Sequence, residues 1–94
     1  MTEVMNTEFD DILKTQDTDA VRDNWEDYNL EQRNYLLRNS LYNNRIKLIK
    51  LLLELGADTT CISSIDIAWM EDLQLYESLS LLKVFDRQRK LGEL

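Results

Sequence analysis

The stretch Arg45-Ile46-Lys47-Leu48-Ile49-Lys50-Leu51-Leu52-Leu53-Glu54-Leu55-Gly56-Ala57-Asp58 limits what this chain can fold into more than any other. Apolar residues fall at 46, 48, 49, 51, 52, 53 and 55. At helical spacing they make a wide apolar face, with Arg45, Lys47, Lys50 and Glu54 on the other side. Gly56 then ends the helix, because glycine enters the left-handed conformation without a Cβ penalty. So wide a face predicts a buried helix inside a helical stack.

The rest of the chain agrees. Proline is absent and glycine occurs only at 56 and 92, so little interrupts helices, and the fold class expected is all-α. With 94 residues, 44% of them hydrophobic, the chain is read as one small domain, 1–94, with a modest core and residues 1–6 frayed. Thr7 is the expected cap of a helix over 8–15 that turns Phe9, Ile12 and Leu13 inward. Asp17 or Thr18 caps a second helix carrying Val21, Trp25 and Tyr28, with Asn29 as its stop. A third runs over 30–42, with Leu30, Leu37 and Leu41 on its apolar row. After the helix of 45–55, residues 57–62 form an extended link. Ser63 or Ser64 caps a short helix over 65–70, and a last helix covers about 73–87, with a basic cluster of Arg87, Arg89 and Lys90 and a stop at Gly92.

Turn signals at Gln16-Asp17, Asn43-Asn44 and Glu71-Asp72 recur at 27 to 28 positions. That spacing predicts three stacked helix-turn-helix units, none able to bury its apolar stripe alone. Within this frame Leu51-Leu52-Leu53-Glu54 and Gly56-Ala57-Asp58 resemble the second helix and closing turn of an ankyrin repeat. Ser63-Ser64-Ile65-Asp66-Ile67-Ala68 resembles the opening of the next repeat, after a link shorter than the family's. Tyr35-Leu36-Leu37-Arg38 stands where the family has a Thr-Pro turn and lacks both residues. The resemblance implies about three degenerate ankyrin-like repeats, whose first helices line a concave binding surface. On a period of 28, Asp10, Arg38 and Asp66 correspond, and Lys14, Tyr42 and Met70 follow one turn later. The partner-binding residues so implied are Asp10, Arg38, Tyr42, Asp66 and Met70, together with the large aromatic Trp69.

Charge and chemistry narrow the function. Eighteen acidic against 11 basic residues give a net charge of −7, which disfavours direct contact with nucleic acid or with an anionic membrane and suits a basic protein partner. Histidine is absent and Cys61 is the one cysteine, so His/Cys metal sites, Ser-His-Asp sets and an internal disulfide are excluded, and no cofactor is expected. A lone thiol suits the cytoplasm. Asp10-Asp11, Asp17 with Asp19, Glu26-Asp27 and Glu71-Asp72 sit in turns or helix starts, where acids cap helices rather than catalyse. The expected function is a non-catalytic protein-binding module, an inhibitor or adaptor. The alternatives are an acidic nucleic-acid mimic that blocks a DNA- or RNA-binding protein, and a helical homo-oligomer assembled through apolar ends such as Leu73, Leu75, Leu91 and Leu94.

Overall fold

The structure, a computed structural model, describes the backbone of residues 2–93 and the side chains of residues 9–85. The described residues hold six α-helices and no strand: α1 (Thr2–Thr15), α2 (Thr18–Asn24), α3 (Leu30–Tyr42), α4 (Ile46–Glu54), α5 (Ser64–Asp72) and α6 (Tyr76–Glu93). Single 3₁₀ turns, Trp25–Asp27 and Thr59–Cys61, follow α2 and α4. The helices pair as α1/α2, α3/α4 and α5/α6. Across the pairs α1 packs on α3, while α2, α4 and α6 lie side by side with α4 in the middle. The fold is thus two layers, a front of first helices and a back of second helices.

The core lies between the layers. Leu48, Ile49, Leu51, Leu52 and Leu53 of α4 are all buried, against Leu36, Leu37 and Leu41 of α3 and Leu79 and Leu82 of α6. At the N-terminal end the filling is aromatic. Phe9 meets Tyr28 edge-on at 5.3 Å, Tyr28 meets Trp25 at 6.5 Å, and the Arg33 guanidinium lies 4.4 Å from the centre of a Trp25 ring while donating to the Trp25 carbonyl at 2.7 Å.

The three pairs are built on one turn. Gln16, Asn44 and Gln74 all take the left-handed conformation, with φ of 53°, 55° and 60°. In each turn the next N–H reaches back five residues: Asp17 to Ile12, Arg45 to Ser40 and Leu75 to Met70. Gly56, φ 90°, ends α4 in the same way, with Ala57 N–H on the Leu52 carbonyl. The turn residues also join neighbouring units. Arg45 gives α4 no side-chain cap, and Gln16 Oε1 accepts the Lys47 N–H at 3.0 Å in its place. One unit on, Asn44 Oδ1 accepts from the buried Ser78 hydroxyl of α6 at 2.8 Å.

Several local expectations change. Helix α1 begins at Thr2, which places Thr7 inside it. Asn29 does not stop α2: with φ −78° it is the N-cap of α3, in a reciprocal capping box with Gln32. Leu30, the first residue of α3, is 60% exposed and leaves the apolar row. The link after Gly56 is a 3₁₀ turn held by Asp58, whose carboxylate accepts both the Thr60 N–H and hydroxyl. Glu71 and Asp72 belong to α5, so the third turn falls at 73–75, and α6 runs past Gly92. The turn residues are therefore 28 and then 30 positions apart.

Left-handed glutamine is strained where glycine is not. Replacing the exposed Gln74 by glycine is expected to stabilise the fold by about 0.5–1 kcal/mol. Gln16→Gly gains the same relief and loses the cap of α4, a cost of about 1 kcal/mol, so it shows no net gain. Urea unfolding of both variants measures the contrast.

Candidate functional site

Residue types on α3 dictate what the front of the molecule presents. Leu36, Leu37, Ser40 and Leu41 are buried. At 100° per residue that turns Glu31, Tyr35, Arg38, Asn39 and Tyr42 to the opposite side. With Leu30 and Asn34 they line a groove of about 590 Å³. The groove crosses the middle of the front layer, between α1 and α5.

Both sides of the groove are fixed by bonds between helices. Toward α1, the Tyr35 hydroxyl donates to Asp10 Oδ1 at 3.3 Å, and its ring lies 5.7 Å from that of Phe9. Toward α5, Asp66 Oδ1 accepts the Tyr42 hydroxyl at 2.6 Å and the Arg38 guanidinium at 3.3 Å. Its other oxygen accepts the Ser63 N–H at 3.0 Å and the Ser63 hydroxyl at 3.1 Å, closing the capping box of α5. With four donors the carboxylate is held as the anion in a site only 7% exposed. These bonds, the Tyr42 hydroxyl first and the Ser63 N–H next, bring its pKa down from 3.8 to about 2. The Tyr42 pKa rises in turn, chiefly because its proton is engaged by Asp66. The Tyr35 pKa rises through burial and then through Asp10.

The expected partner-binding residues divide accordingly. Arg38, Tyr42 and Asp66 come together. Asp10 is exposed on α1 and tied to Tyr35. Trp69 is 58% exposed on α5 and Ile65, one turn before it, 67%. On the helix circumference both lie beside Asp66, on the side away from Met70. Met70 must be corrected, because it is fully buried and presents nothing to a partner. The cause is the 30-residue step: with the turns aligned, Met70 matches the inward positions Ile12 and Ser40, and Asp66 matches Leu36 rather than Arg38. Asp66 accordingly serves as an anchor for Tyr42 and Arg38 rather than as a free contact.

Leu30, Glu31, Tyr35, Asn39 and Ile65 were not among the expected site residues. The signal for the α3 members was the half of the helical period left over once 36, 37, 40 and 41 had been turned inward. Arg87, Arg89 and Lys90 lie outside the described side chains. Among the described residues no three His, Cys, Asp or Glu come close enough to hold a metal ion, and no helix is long and apolar enough to cross a membrane. Cys61 is half-buried, and burial, followed by Asp58, pushes its thiol pKa up, away from the reactive thiolate. No protein-family model, curated protein or solved structure matches the chain.

The Asp66 anchor has a pH signature. A carboxylate whose pKa is lowered by folding contributes stability above its unfolded value of 3.8 and loses it as pH falls toward about 2. Tyr42→Phe is expected to cost about 1–2 kcal/mol at neutral pH. Urea titrations at a series of pH values should show that difference steady above about pH 4 and shrinking toward pH 2. A difference independent of pH would mean that the tyrosine is not holding the anion.

Proposed function

We propose that this chain is a non-catalytic protein-binding module that inhibits or tethers one protein partner through its front face. The observation that carries the reading is the α3 groove, whose aromatic walls are held in place before any partner arrives. Tyr35 is tied to Asp10, and Tyr42 with Arg38 to Asp66, so little side-chain freedom remains to be lost on binding. On α5 Trp69 and Ile65 expose apolar surface of the kind that anchors interfaces. Asp10, Asp11 and Glu31 are exposed on the same layer, which favours a partner with Lys or Arg facing them.

In this reading the three helix pairs are divergent ankyrin-type repeats. The Gly56-Ala57-Asp58 turn and the threefold left-handed turn support it. The same proposal places the protein in the cytoplasm, where Cys61 stays reduced.

Leu30 and Trp69 are exposed, so Leu30→Ala and Trp69→Ala leave the core intact. Affinity capture on the immobilised chain, followed by titration of the captured protein against the variants, is expected to show at least tenfold weaker binding, about 1.4 kcal/mol each. Arg22→Ala, on the exposed side of α2, leaves affinity unchanged. Binding should also weaken with added salt. A partner that binds both front variants as tightly as the unaltered chain refutes the assignment.

A further inference from the structure

The two ends of the stack are unlike. Among the described residues, no large apolar side chain of α1 or α2 is exposed, whereas the last unit exposes Ile65, Trp69, Leu73, Tyr76 and Val84. Ile65 and Trp69 belong to the front. Tyr76 and Val84 lie at the C-terminal end, on a groove of about 620 Å³ between α5 and α6 that is floored by Leu79. The groove is charged in a graded way. Glu71 and Asp72 stand at one end beside Tyr76, and Lys83 stands at the other, seven residues or about 10 Å further along α6. Ser80, a small residue, lies between them. Helix α6 is also out of proportion, 18 residues against nine in α4 beside it, and runs about 13 Å past the point where α4 ends.

From this geometry we infer that the C-terminal end is a self-association surface, occupied by a second copy of this chain with the two α6 helices antiparallel across a twofold axis near Ser80. The charge gradient selects this occupant. Reversing one α6 against another sets Lys83 of each copy beside Glu71 and Asp72 of the other, twice over, with Tyr76 and Val84 closing around Leu79. Small Ser80 lets the two helix backbones approach at the axis. Head-to-tail growth is disfavoured, because among the described residues α1 and α2 expose no large apolar side chain to bury against this groove. With the axis near Ser80, the pairing overlaps residues 76–84 of the two α6 helices. It is independent of the front-face reading, and since the α3 groove belongs to the middle unit, the dimer presents two such grooves.

Sedimentation equilibrium on the whole chain tests the inference. The expected mass is twice 11.2 kDa, falling to 11.2 kDa on dilution. Lys83→Glu and the pair Glu71→Lys, Asp72→Lys are each expected to weaken association about tenfold, because each change acts twice across the axis. The triple variant, which restores opposite charges, should recover most of that loss. Tyr76→Ala, at an exposed position, gives the same readout through shape, and circular dichroism confirms that each variant is folded. Leu30→Ala leaves the mass unchanged whatever it does to partner binding, so the two surfaces are judged separately. A mass of 11.2 kDa up to about 1 mM, or a dimer indifferent to Lys83→Glu, overturns the inference.

Discussion

The fold depends on the burial of α4. Five of the six residues from Leu48 to Leu53 are buried, with only Lys50 reaching solvent. A single helix pair covers one side of such a helix, and α4 is apolar over more than one side. It is therefore satisfied only when α3 covers the front and α2 and α6 close in from either side. The terminal pairs exist as folded elements because α4 offers each of them apolar surface. Their own helices, nine residues or fewer in α2 and α5, are too short to persist alone.

The turns show how that stack acquires a register. Hydrophobic burial is non-directional and tolerates sliding along the helix axis, so it does not by itself fix one pair against the next. Gln16 and Asn44 do. Each sits at a left-handed position where glycine would be conformationally easier. Each also projects a side-chain oxygen onto the second helix of the following unit, to Lys47 N–H and to the Ser78 hydroxyl. The backbone strain at these two positions is offset by bonds that glycine cannot make. Among the described residues the Gln74 side chain makes no such bond, and there the strain stands uncompensated.

The sequence showed the helices and their number because helical periodicity and the Gly56 stop are local signals. Phe9, Ile12, Leu13, Val21, Trp25 and Tyr28 all fall inward at the spacing their positions predict. Three features escaped for a common reason, that they are settled between elements. Asn29 is equally suited to ending one helix or beginning the next, and Gln32 three residues later decides for the latter. The third turn has no glycine or Asn-Asn pair to mark it, so Glu71-Asp72 carries the stronger local turn signal, and a turn placed there puts Met70 on the surface rather than in the core. The groove was half visible: Arg38 and Tyr42 could be named, but that Asp66 would point at them rather than stand beside them as a third contact required the true register.

That register also explains why a carboxylate stands in the seam between the second and third units. With the turns aligned, the place held by fully buried Leu36 in the second unit is held by Asp66 in the third. A leucine packs against whatever apolar surface meets it and leaves neighbouring side chains free. A carboxylate in the same place is costly unless its oxygens are met, and meeting them takes both ends of the local structure, Ser63 at the start of α5 and Tyr42 with Arg38 across on α3. The seam between the second and third units is thus directional where a leucine seam is only adhesive. It sets the angle at which α5 presents Ile65 and Trp69, and it holds Tyr42 at the edge of the groove. A carboxylate that is costly to bury is thus what joins α3 and α5 into a shaped surface.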